Sequence, residues 1–116
     1  MGADGHTASL FPGSSALDEH KRLAVAVSNE ASNVSRITFT LPVLSNAARV
    51  VFLVSGAEKA STLLTVLGEQ ESFDANPSRP LLPAQLVRPI NGSLVWLTDK
   101  AAAHLLAKKL VDEEKR

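Results

Sequence analysis

Five apolar residues follow Arg49 without a break, Val50-Val51-Phe52-Leu53-Val54. A strand with one wet face alternates apolar and polar positions. An unbroken run of β-branched and aromatic residues reads instead as a strand covered on both faces, the habit of a parallel sheet. Leu94-Val95-Trp96-Leu97 is a second such run, and Leu23-Ala24-Val25-Ala26-Val27 a smaller third. Parallel neighbours need long crossovers, and helical patterns follow two of the three runs. Ser55, with Glu58 three residues on, offers a capping box. Ala60, Leu63, Leu64 and Leu67 then recur at helical spacing, and Gly68 suits the stop. Thr98 is placed to cap a second helix with the stripe Ala102, Leu105, Leu106 and Leu110. Asp99 near its start and Lys108 and Lys109 near its end complement the helix dipole.

The connections are rich in breakers. Asn76-Pro77-Ser78-Arg79-Pro80 reads as a loop, Pro83-Ala84-Gln85-Leu86-Val87 as a short helical turn, and Asn91-Gly92 as a turn before the third strand. The last five residues, 112–116, read as a solvated tail. The expected fold is α/β: a mainly parallel, Rossmann-like sheet with flanking helices and right-handed crossovers. The 116 residues have room for one small domain. Three parallel strands and two long helices make only a thin layer, so the chain is expected to be part of a larger sheet.

Charge and composition narrow the function. Twelve Lys plus Arg balance twelve Asp plus Glu, so nothing draws the chain to nucleic acid or to an acidic membrane. The absence of cysteine removes thiolate nucleophiles, thiolate metal sites and disulfides. No apolar run approaches the roughly 20 residues of a membrane span. The N-terminus has no basic start followed by an apolar stretch, so the cytoplasm is the expected compartment. There is no Gly-x-Ser-x-Gly elbow, no phosphate-binding Walker loop and no complete Gly-x-Gly-x-x-Gly. His6, His20 and His104 lack metal-ligand spacing, and no metal is expected.

What carries chemistry is the opening stretch, Gly2-Ala3-Asp4-Gly5-His6-Thr7. Gly2 and Gly5 allow a tight turn and close ligand approach. An Asp two residues before a His can hold one ring nitrogen and leave the other as a general base. Equally, Asp4 can cap a short helix with His6 merely exposed. Two cations stand apart. Arg36 lies among β-branched and apolar residues in Ser35-Arg36-Ile37-Thr38. Lys59 falls in the first turn of a helix, where it opposes the dipole unless an anion shares the site. It reads either as a phosphate ligand or as an exposed partner of Glu58. His20, in a charge cluster, and His104, on the polar side of the last helix, have no assigned role.

The segment "GADGHTASLFPG", with "RITFTLPVLSNAARVVFLVSGAEKA" and "PLLPAQLVRPINGSLVWLTDKAAAHLL", resembles the 6-phosphogluconolactonases over nearly the whole chain. The related glucosamine-6-phosphate deaminases share Asp-Gly-His but carry a catalytic Glu where Phe11 stands here. The resemblance implies hydrolysis of 6-phosphoglucono-1,5-lactone to 6-phosphogluconate, a step of the pentose phosphate pathway, with no metal or organic cofactor. It implies His6 as the base, Asp4 as its orienter, and Arg36 and Lys59 at the substrate phosphate. It further implies that residues 1–12 come from the interior of an active site and that the chain is the C-terminal portion of a longer domain. The alternatives are a deaminase-like enzyme, opposed by Phe11, and a non-catalytic fragment that self-associates through an uncovered apolar face.

Overall fold

The computed structural model describes residues 1–29, 33–68 and 80–116. Its elements run β1 (Ala24–Asn29), β2 (Val34–Phe39), α1 (Leu41–Ser45), β3 (Arg49–Val54), α2 (Ala60–Gly68), α3 (Pro83–Leu86), β4 (Ser93–Thr98) and α4 (Lys100–Glu114). Short 3-10 turns span Ser15–Asp18 and Ala57–Lys59.

The two strongest apolar runs pair as expected. β3 and β4 are parallel and in register from Arg49↔Ser93 to Val54↔Thr98. Phe52 and Trp96 are direct partners, and their rings stack with centroids 4.1 Å apart and planes 8° from parallel. This face is covered. Phe52 and Val54 are buried with Leu63 and Val66 of α2, Ala84 of α3, Val87, and Ala102 of α4. α2 and α4 lie side by side over the strands, and the Lys109 ammonium donates to the Gly68 carbonyl at 2.6 Å, closing the end of α2.

The opposite face departs from expectation. Val51, Leu53, Val95 and Leu97 share it and all are exposed, Leu53 to 72%. Among the described residues the pair is covered on one side only.

The third run is not in the parallel sheet. β1 pairs antiparallel with β2, from Ala24↔Phe39 to Asn29↔Val34, as a separate two-stranded sheet. The two segments lie too close in sequence for a crossover, whereas an antiparallel pair needs only a short connection. Asn33 ends that connection with φ 51°, a left-handed conformation that Asn tolerates. The hairpin buries Val25 and Val27 with Leu10 and Ala16. Leu41 and Leu44 of α1 pack against both apolar clusters and join them.

Two helix-cap expectations are corrected. Ser55 makes no cap: α2 is entered through the Ala57–Lys59 turn, whose preceding residue is Gly56. Asp99, not Thr98, caps α4, accepting from the Ala102 N–H at 2.8 Å. It also accepts from the Gly56 N–H at 3.1 Å, so one carboxylate ties together the exits of both parallel strands. Thr98 is still in the strand. The C-terminal residues are helical through Glu114, helped by Lys109 and Glu113 one turn apart at 3.7 Å, although their side chains remain exposed. The stripe of α4 ends early, since Leu110 is exposed. α3 forms where the Pro83 turn was expected. Of the expected 76–80 loop, all but Pro80 lies outside the described residues.

Candidate active site

Residues 1–6 fold into a closed turn. The Gly5 N–H donates to the Gly2 carbonyl at 3.0 Å, and the Gly2 N–H donates to the His6 carbonyl at 2.9 Å. A Cβ on Gly2 would fall 2.2 Å from the His6 ring, so the absence of a side chain there makes room for the imidazole. Gly5 is buried with φ +84°, and a Cβ on it would meet Leu82 Cβ at 2.8 Å. Its residue type is set both by the left-handed backbone and by the approach of the α3 segment.

Within this turn Oδ1 of Asp4 accepts from the His6 backbone N–H at 3.0 Å and lies 2.6 Å from His6 Nδ1. No helix follows Asp4 for it to cap; the carboxylate closes a turn and in the same position holds the imidazole. Partial burial pushes the Asp4 carboxyl upward. The hydrogen bonds from the His6 backbone and ring and the attraction of that ring outweigh it, and the net shift is below the ordinary 3.8. Asp4 is therefore ionised at neutral pH and can only accept, so in the neutral ring Nδ1 carries the proton and Nε2 keeps its lone pair. The His6 side chain is one-third exposed and reachable from solvent. The Phe11 ring packs against it.

Three elements hold the turn from outside. The Lys59 ammonium donates to the Met1 carbonyl at 2.7 Å. The Thr62 hydroxyl, on α2, donates to the Ala3 carbonyl. The Ala84 N–H, on α3, donates to the Gly5 carbonyl at 3.0 Å. Lys59 and Thr62 follow directly on β3, so the turn sits beyond the carboxyl end of that strand. A further link runs from the Ser9 N–H to the Thr38 hydroxyl of β2 at 3.1 Å.

The structure thus gathers Gly2, Asp4, Gly5, His6 and Lys59 in one place. Arg36 is exposed on β2, opposite Val27 and two residues from Thr38. No hydrogen bond among the described residues joins it to Asp4, His6 or Lys59. His104 keeps a local contact with the Ala101 carbonyl at 2.7 Å, and His20 is exposed. Sequence reasoning missed Thr62, Leu82 and Ala84. The available signal for Thr62 was its spacing of three from Lys59, which puts both on one helix face. Among the described residues no group of three or more His, Asp or Glu side chains is placed to hold a metal ion, and no helix is long and apolar enough to cross a membrane.

A parallel strand pair under helices, with a carboxylate–imidazole turn at a strand's carboxyl end, defines an α/β protein with polar chemistry where open α/β sheets place their ligands. The chain belongs to the glucosamine-6-phosphate isomerases/6-phosphogluconolactonase family, which matches residues 1–96. It is 43% identical over 107 residues to the human 6-phosphogluconolactonase and 41% identical over 108 residues to that of the rat. These matches cover 91% and 92% of the chain but 39% of each relative. The solved 6-phosphogluconolactonase of Trypanosoma brucei superposes with a TM-score of 0.73 at 31% identity, over 91% of this chain and 40% of that one. The structure titled devB protein gives 0.72 at 34% identity, over 90% and 41%. The chain therefore spans about two-fifths of the length of the relatives it matches.

Proposed function

We propose that this chain supplies the general base of a 6-phosphogluconolactonase, which hydrolyses 6-phosphoglucono-1,5-lactone to 6-phosphogluconate in the pentose phosphate pathway. The observation that carries the reading is the 2.6 Å contact between Asp4 and His6 Nδ1. It leaves Nε2 to take a proton from water as the oxygen adds to the lactone carbonyl. The tetrahedral adduct collapses by breaking the bond to the ring oxygen, and the imidazolium returns its proton to that oxygen. Asp4 stabilises the positive ring between the two transfers. Gly2 and Gly5 are assigned to the substrate loop. Lys59 is assigned to the phosphate: one ammonium proton is held by the Met1 carbonyl, and the other two meet no acceptor among the described residues. Arg36 is assigned to the same phosphate on the resemblance alone. Phe11, with no acid to offer, favours the lactone over an amino sugar.

The test is lactone hydrolysis, corrected for the spontaneous reaction, with the chain in its full natural polypeptide. His6→Ala is expected to lower turnover about 10²–10⁴-fold, the usual range for a lost general base. Near-normal turnover in that variant removes His6 from the role. The same reading carries the cytoplasmic location, which imaging of the tagged natural protein tests.

The exposed face of Val51, Leu53, Val95 and Leu97 favours a second behaviour. We propose that the 116-residue chain alone self-associates through that face. Light scattering across a concentration series tests this, and a monomer throughout overturns it.

A further inference from the structure

We propose that Thr62 is a positioning residue for the Asp4–His6 pair, acting through its hydrogen bond to the Ala3 carbonyl. The inference rests on the reading of His6 as a base and concerns what holds that base in place.

Thr62 is almost wholly buried on the core side of α2. A helical threonine commonly satisfies its hydroxyl locally, on the carbonyl four residues back. Thr65 of the same helix does so, donating to the Ser61 carbonyl at 3.2 Å. Thr62 does not. Its hydroxyl reaches across 59 positions of sequence to the carbonyl of Ala3. That carbonyl belongs to the peptide leading into Asp4, so fixing it fixes the direction in which the Asp4 carboxylate leaves the backbone. The carboxylate must meet the His6 N–H at 3.0 Å and Nδ1 at 2.6 Å with the same oxygen. A rotation of the Ala3–Asp4 peptide moves the carboxylate out of the position where one oxygen meets both. Lys59, three residues earlier in the 3-10 turn that leads into α2, holds the Met1 carbonyl. The Ala84 N–H holds the far side at Gly5. Thr62 is the contact nearest to Asp4 along the chain.

Thr62→Val keeps the shape and removes the donor; Thr62→Ser keeps the donor and removes the methyl. Two readouts follow the turn and not the reaction. One is the tautomer of the neutral His6 ring from its nitrogen-15 shifts, and the other is hydrogen exchange at the Gly2 and Gly5 amides. In Thr62→Val the Nδ1–H form is expected to lose its predominance, and the two amides to exchange about tenfold faster, the scale of one lost hydrogen bond. Thr62→Ser is expected to match the parent. A valine variant with parental tautomer and exchange overturns the proposal, as does a serine variant that fails like valine. If the valine variant does not fold, the parent decides. A slowly exchanging Thr62 hydroxyl proton with a cross-peak to Ala3 or Asp4 supports the proposal, and a freely exchanging one overturns it. Failure here leaves the lactone reading standing, and an inactive enzyme leaves these readouts intact.

Discussion

The ring of Phe11 lies against the imidazole of His6, with centroids 4.7 Å apart and planes inclined by 41°. Asp4 holds the edge of the imidazole and Phe11 one face, so the ring is restrained in two directions by residues within five positions of it. Phe11 is itself anchored, packing on the cluster of Leu10, Ala16, Val25 and Val27. Phe11 thus serves as an apolar wall beside the imidazole.

Phe11→Leu keeps most of the apolar contact and removes the ring pair. It is expected to cost about 0.5–1.5 kcal/mol, the usual worth of an aromatic pair beyond area, measured by urea denaturation. His6 line shapes should broaden as the imidazole gains freedom. A variant with parental stability and an equally ordered His6 ring would show the contact to be incidental.

Gly5→Ala and Gly13→Ala form a matched pair. Both glycines have positive φ, but a Cβ on Gly13 meets nothing within 4 Å, whereas one on Gly5 collides with Leu82. Gly13→Ala should cost only the backbone term, about 1–2 kcal/mol. Gly5→Ala should add an overpacking cost of about 1–3 kcal/mol. Equal losses in thermal unfolding of the two variants would contradict the described approach of α3 to the turn.

Asp99→Ala removes the cap of α4 and the acceptor of the Gly56 N–H together. A loss of about 1–2 kcal/mol is expected, against a change within about 0.5 kcal/mol for exposed Thr98→Ala. Chemical denaturation distinguishes them, and the reverse order would restore Thr98 as the cap.

Acid titration should reveal two windows. The folded pKa of Asp4 is depressed, so its stabilisation is full above the ordinary 3.8 and is lost as pH falls through the lower folded value. The pair is partly exposed, which limits the effect to about 0.2–1 kcal/mol. Glu19, held at about 2 mainly by the side-chain hydrogen bond from Arg22, contributes above its ordinary 4.5 and loses that contribution as pH falls toward 2. Asp4→Asn and Glu19→Gln should each flatten part of the stability curve on the acid side. If either variant tracks the parent at all pH values, the corresponding contact is absent in solution.

The parallel pair was legible because β3 and β4 carry their instruction locally, in unbroken apolar runs. The Asp4–His6 contact was legible for a similar reason, since two residues of spacing and flanking glycines nearly dictate it. β2 was not: Val-Ser-Arg-Ile-Thr-Phe mixes polar and β-branched residues, and Arg36 reads as a binding cation before it reads as part of a strand. The Asp99 cap was hidden by a neighbouring Thr able to serve as well, and only the register of β4 decides between them. Ala84 could not be read at all, and Thr62 only through its spacing from Lys59. Their partners are carbonyls of the opening turn, and backbone acceptors leave no mark in a sequence.

The ties from Lys59 and from Thr62 of α2 to the opening turn span 58 and 59 positions of sequence. Contacts of such separation form only after the intervening chain has lost much of its freedom. The turn bonds of residues 2–6 can close early, but their ties to Lys59, Thr62 and Ala84 wait until β3, α2 and α3 are in place. The pair that the sequence announces first is thus among the last parts of the molecule to be secured as it folds.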